Sequence, residues 1–312
     1  MTVFGATLNQ TAFLFSFIVL GYILVRVKAV PAHSEHVLSK LENTVFIPAL
    51  VLGTFIDQFT VAKVTSASKL LLGSLALEVV VIALSFLCIR IMSRDRYERN
   101  IYQYGLCFAN FGFMGNAVFS ALFPDIFMEY LIFTLPLWTL IYMWGAPVLL
   151  MGDEKASLKA RLKSFFNPML VCTVLGMIIG ITGLKLPSFI GQAVSAAGNC
   201  MSPIAMLITG MTLAQMNLKE ILRIRGVYVS TLFRLIVFPA LFLLAACFIP
   251  FGRTFATCAI CSLAMPLGLN TIIIPAAQGK DTRVASGMAL VSHLLSCLTI
   301  PVVFMIFEML MK

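Results

Sequence analysis

The chain has 312 residues, 60% hydrophobic and 11% charged, and a soluble domain of that composition would expose large apolar patches. A water-soluble globular protein is therefore excluded, and so is a transmembrane barrel, because the apolar runs are long and lack period-2 alternation. The net charge of +9 gathers in connections between apolar runs rather than in a basic stripe interleaved with aromatics, which argues against nucleic acid as a partner.

Ten helical spans are predicted, at roughly 7–27, 36–57, 68–91, 100–123, 127–150, 166–185, 189–215, 226–249, 253–277 and 284–309, each able to cross about 30 Å of hydrocarbon at 1.5 Å per residue. The first is long and has no Lys or Arg before Arg26, so it reads as an uncleaved helix rather than a signal peptide. The second carries Asn43 ahead of Pro48, and the third holds Glu78 near its centre. The fourth contains CFANFGFMGNAV (107–118), where Gly112 and Gly115 weaken the helix and Asn110 and Asn116 place amides at membrane depth.

After the fifth span comes the longest polar connection, MGDEKASLKARLKSF (151–165), which divides the spans five and five. The seventh span repeats the Asn and Pro pattern with Asn199 and Pro203, and the eighth holds Arg234. In the ninth, CSLAMPLGLNTI (261–272) is interrupted by Pro266 and Gly268, and Cys258 and Cys261 form a lone CxxC with no metal-site companions. The tenth contains His293, the only histidine away from a span end. No HExxH, GxSxG or Walker pattern occurs, so no enzyme, metal or cofactor is expected.

Most Lys and Arg fall in the connections after odd-numbered spans, among them Arg26, Lys28, Arg90–Arg99 and Lys155–Lys163. The positive-inside rule then places those connections in the cytoplasm and both termini outside, in the cytoplasmic (inner) membrane. The two halves, 1–150 and 166–312, also match each other. Arg99, Cys107, Asn116 and Pro147 recur 154 residues later, and Gly21, Pro48 and Asn43 recur at offsets of 155 or 156. Five spans is an odd number, so the second half enters from the opposite side, giving the inverted repeat of secondary transporters.

The two interrupted segments align with each other, which makes spans four and nine discontinuous helices that cross. Half-helices starting near Asn116 and Asn270 would aim their positive ends at the bilayer centre and attract an anion, with each Asn capping its helix or donating to a carboxylate. Gly112, Gly115, Pro266 and Gly268 complete this candidate site. The competing reading is that Asn, Gly and Pro merely kink two packed helices. Glu78 and Arg234 match at an offset of 156 and either pair as a structural brace or serve charge balance or proton coupling. His293 is either a hydrogen-bonded structural residue or a route for H+ coupling. Asn43 and Asn199 serve kinks and interhelical hydrogen bonds, or line the pathway.

With NTVFIPALVLGTF (43–55), PIAMLITGMTLA (203–214) and the two crossover segments, the chain resembles the auxin efflux carrier family, whose bacterial members include malate and malonate permeases. The resemblance implies an all-α polytopic fold shared with sodium–proton antiporters and bile acid symporters. Spans 1, 2, 6 and 7 would form a scaffold, also the face for a homodimer, and spans 3–5 and 8–10 a mobile transport domain. It also implies that Asn116, Asn270 and Pro266 help hold a substrate carboxylate, with Gly112 standing where a proline marks the crossover. Neither crossover segment contains the Asp or Glu that a cation–proton exchanger needs. The expected function is therefore secondary transport of small mono- or dicarboxylates by an elevator motion. The rivals are a sodium-coupled symporter of larger amphipathic anions and a membrane sensor that binds carboxylates without moving them.

Overall fold

The computed structural model describes residues 3–31, 33–60, 64–151, 168–215, 217, 221–277 and 279–311. The expected linker 151–165 lies outside these residues except for Met151. Twelve helices follow in order: α1 (Val3–Arg26), α2 (Ser34–Gln58), α3 (Val64–Cys88), α4 (Arg96–Cys107), α5 (Phe111–Leu122), α6 (Pro124–Leu150), α7 (Pro168–Thr182), α8 (Ser188–Ala214), α9 (Arg225–Phe248), α10 (Arg253–Ala264), α11 (Asn270–Ala277) and α12 (Arg283–Leu310). No strand occurs among the described residues; an isolated bridge joins Ala109 to Leu267.

Seven of these helices are long and apolar enough to cross a membrane, so the chain is a polytopic membrane protein. The sequence leads one to expect ten crossings, and the difference has a local cause. The spans at 100–123 and 253–277 are each split into two short helices, and the span at 166–185 is present as the 15-residue α7. The splits fall where the main chain leaves helical geometry, at Phe108–Asn110 and Met265–Leu269.

The split helices are the most deeply buried. Ile101–Cys107 of α4 and Ala256–Ala264 of α10 are buried throughout, whereas α3 and α7 expose Leu72, Val79, Leu87, Val174 and Ile178 outward. Irregular backbone at membrane depth is tolerated only against protein or a watery cavity, and this arrangement supplies the protein. Around it, α1 packs on α8 and α2 on α7. Gly21 and Gly210 permit the first contact, since a side chain at either would strike the main-chain oxygen of Leu207 or Ile18.

Besides the π turn that opens α5 at Phe111–Gly115, which no proline adjoins, helices widen into π turns at Glu42–Phe46, Ile141–Leu150 and Phe233–Val237. Each of these three precedes or contains a proline: Pro48, Pro147 and Pro239. Proline lacks an N–H and its ring collides with the carbonyl four residues earlier, and a wider turn relieves that collision. Two charged residues, Glu42 and Arg234, are carried on these turns and buried by them.

Candidate functional site

The two breaks meet. Beside the Ala109–Leu267 bridge, the Asn110 amide N–H donates to the Pro266 carbonyl at 2.7 Å, and the Leu267 N–H donates to Ser292 Oγ at 3.2 Å. Gly268 allows the approach, because a Cβ there would lie 2.6 Å from the Phe108 carbonyl oxygen. Gly112 does the same against the indole of Trp138, at 2.5 Å. Small residues at the crossing are thus required by contact, independently of any kinking role.

A narrow cleft runs along the crossing. It is lined by Asn110, by Phe111–Phe113 at the start of α5, and by Gly268–Asn270 at the start of α11, with Tyr104, Phe108 and Trp138 as aromatic walls. In α11 the first-turn N–H groups of Thr271 and Ile272 donate to the carbonyls of Gly268 and Leu269 just before it, and the N-terminal, positive ends of both helices face one space. The cleft measures about 10 Å³, room for roughly one water molecule. Anything larger than a water molecule would fit only if the walls separated.

The opposite helix ends are neutralised by one residue. Arg234, 1% exposed on its π turn, donates from Nη1 to the Leu106 carbonyl at 2.9 Å, from Nη2 to Ser262 at 2.6 Å, and from Nε to Met265 at 3.3 Å. Those carbonyls belong to the last turns of α4 and α10 and the break that follows, where the helix dipole is negative. Arg234 thereby satisfies the C-terminal ends of both incoming half-helices. Glu78 lies within electrostatic reach, but it forms no ion pair with Arg234 and its Oε1 has no hydrogen-bond partner. The direct Glu78–Arg234 pair allowed by the sequence is absent because the guanidinium is spent on carbonyls.

His293 joins the two halves. Its Nδ1 donates to the Ala289 carbonyl at 2.8 Å, which leaves Nε2 to accept from Asn110 Nδ2 at 2.9 Å. The ring is a neutral connector between α12 and the crossing. Asn270 Nδ2 donates to the Tyr104 hydroxyl at 3.1 Å.

Of the residues singled out from sequence, the cleft brings together Gly112, Gly268 and Asn270. Pro266 contributes its carbonyl to the bridge. Asn116 and Gly115 sit one turn further along. The α5 segment begins at Phe111 as a π turn, with the Gly115 N–H on the Asn110 carbonyl, and the Asn116 N–H is already satisfied by the Phe111 carbonyl. Asn116 is therefore within the helix rather than its cap; it is buried, and its Oδ1 has no partner. Gly115 packs against the Tyr130 hydroxyl. Asn43 and Asn199 are exposed, Asn43 bonding to Ser39 in its own helix and Asn199 lining a pocket with Asp57 and Lys185.

Two residues of the crossing lie outside the candidate site that the sequence predicts. Asn110 has Ala264 rather than an amide as its counterpart at the 154-residue offset, and Tyr104 belongs to no motif. A third, Glu42, is a carboxylate inside an apolar span, a signal as strong as that of Glu78. Elsewhere His33, Glu35 and His36 at the start of α2 present ligand atoms within 4.8 Å of one another, and Gln215 donates to the other oxygen of Glu35. Cys258 and Cys261 are free, buried thiols.

A family model described as Membrane transport protein matches residues 6–304. No curated protein matches the chain. With nearly the whole chain covered, it belongs to that family, the auxin efflux carriers.

Proposed function

Taking membership of a membrane transporter family as the premise, we propose that this chain carries small organic anions, mono- or dicarboxylates such as malate or malonate, by an elevator mechanism. The observation that carries the reading is the crossing itself. First turns of α5 and α11 face one cleft that contains no Asp or Glu, while the negative ends of α4 and α10 are occupied by Arg234. The unbalanced charge in the cleft is positive, and amides at Asn110 and Asn270 are donors suited to a carboxylate. A cation meets no counter-charge there.

Within this reading the chain makes ten crossings as two inverted sets of five, with the split helices counted as the fourth and ninth. α1, α2, α7 and α8 form the scaffold. The helices α3–α6 and α9–α12 move as one body that exposes the cleft to alternate sides, both termini lying outside the cytoplasmic membrane. The packing of α1 on α8 and of α2 on α7 is the pair of equivalent contacts such a repeat requires. Asn116, buried with an open acceptor, adjusts α5 as the cleft opens.

Thermal unfolding of the purified protein against malonate, malate, lactate and citrate, with sodium and lithium chloride as matched controls, tests the reading. Stabilisation by at least one carboxylate, and its loss in Asn270→Ala, is the expected outcome. Stabilisation by the cations alone, or an unchanged response in Asn270→Ala, would overturn it. A bile acid response dependent on sodium would favour the symporter of larger anions instead.

A further inference from the structure

Glu42 stands at the boundary between α2 and the crossing. It is fully buried, both carboxylate oxygens lack a hydrogen-bond partner, and it lines a small gap with Ser39 and Asn43 of α2, Ala205 and Ile208 of α8, and Phe113 and Leu269 of the two crossover segments. The gap holds about 10 Å³, again roughly one water. The π turn that Pro48 imposes on α2 carries Glu42 at this spot.

Nothing nearby compensates a charge. The helices packed against Glu42–Phe46 are α7 and α8, whose titratable groups are the thiols Cys172 and Cys200 and which have no charged residue. Neither α5 nor α11 contains Asp, Glu, Lys, Arg or His. On α2 itself Lys40 is exposed and two positions away, a spacing that points to a different face, and Glu35, His36 and Asp57 are a turn or more distant. An ionised carboxylate enclosed without hydrogen bonds or a cation costs several kcal/mol. The group is accommodated here as the neutral acid.

We propose that the Glu42 carboxyl is the proton-binding site of this transporter, protonated while α2 is packed on the crossing and releasing its proton to water when the crossing slides past α2. The inference rests on the elevator reading above. It assigns coupling to the scaffold side of the moving boundary, where hydration changes during the stroke. His293 has both ring nitrogens engaged, and Glu78 lies in the field of Arg234, so neither offers an uncompensated exchange of one proton.

The test uses full-length protein in vesicles loaded with unlabelled malonate or left empty. With the membrane potential clamped at zero by potassium and valinomycin, one proton per anion drives about tenfold accumulation of labelled malonate per unit of pH difference, the ratio of proton concentrations itself. Wild type should show both exchange into loaded vesicles and this accumulation into empty ones. Glu42→Gln, which mimics the neutral acid, should keep exchange and lose accumulation, and Glu42→Asp should recover part of it. Dicyclohexylcarbodiimide, which attacks protonated carboxyls in apolar surroundings, should modify Glu42 of the wild type, so that the inference is testable even if Glu42→Gln fails to fold. Full accumulation by Glu42→Gln, or wild-type labelling that spares Glu42, would overturn the proton site while leaving the transport reading intact. Absence of exchange by the wild type with malonate, malate and lactate alike would overturn the transport reading and the proton site with it.

Discussion

Replacing Arg234 by Met keeps most of the side-chain volume and removes the guanidinium. Three buried carbonyls, at Leu106, Ser262 and Met265, then lose their donor, at about 1–3 kcal/mol for each group left unsatisfied. The sum, roughly 3–9 kcal/mol, is comparable with the ~5–15 kcal/mol that holds a typical folded domain together. Glu78 would also lose the nearest positive charge. Arg234→Lys should be intermediate, because one ammonium on a flexible stem cannot span carbonyls from two helices as the planar fork does. Unfolding in mixed detergent micelles, followed by tryptophan fluorescence, measures the effect where it arises. The only two tryptophans are Trp138 and Trp144, and they pack on Phe111 and Phe108 at ring separations of 5.2 and 6.2 Å. Wild-type unfolding by Arg234→Met would refute the assignment of Arg234 as the cap of both half-helices.

Three further outcomes follow from the same geometry. Gly268→Ala places a methyl 2.6 Å from the Phe108 carbonyl and 3.2 Å from that of Ala109; the bridge must shift, at about 1–3 kcal/mol, and vesicle exchange should fall much further than the unfolding midpoint. His293→Ala strips Asn110 of its partner and should lower stability by about 1–3 kcal/mol, while the pH profile of exchange keeps its shape; a displaced profile would return His293 to a coupling role. At the start of α12, Arg283 holds the carboxyl of Asp281, in the connection before it, below its ordinary range through a bidentate contact at 2.7–3.1 Å. A depressed carboxylate contributes stability above its unfolded value and loses it as pH falls through the folded one. Asp281→Asn should therefore lower stability slightly at pH 7, by ~0–1 kcal/mol for so exposed a pair, read as a small fall in melting temperature, and have no effect at pH 2.

The breaks in two helices were legible because Gly112, Gly115, Pro266 and Gly268 interrupt apolar runs at matching places. The register of the crossing was not. Matching Asn116 with Asn270 gives an offset of 154, whereas the observed bridge pairs Ala109 with Leu267, an offset of 158. The π turn at Phe111–Gly115 lets the first half break earlier than its counterpart, and the wider winding leaves no mark that alignment of like residues detects. That shift moves Asn110 into the cleft and Asn116 away from it. Likewise, matching opposite charges suggested that Arg234 answers Glu78. Its true partners are main-chain carbonyls, which are invisible in a string of side chains. Glu42 stands beside Asn43 in the same apolar span, and a carboxylate there is the stronger signal of the two.

Counterflow of labelled malonate and malate through vesicles containing wild type, Asn110→Ala or Asn270→Ala measures directly whether the crossing conducts anions. Exchange by the wild type, and its collapse in both variants with folding retained, is the expected result. Undiminished exchange in both variants would contradict it and place the substrate elsewhere.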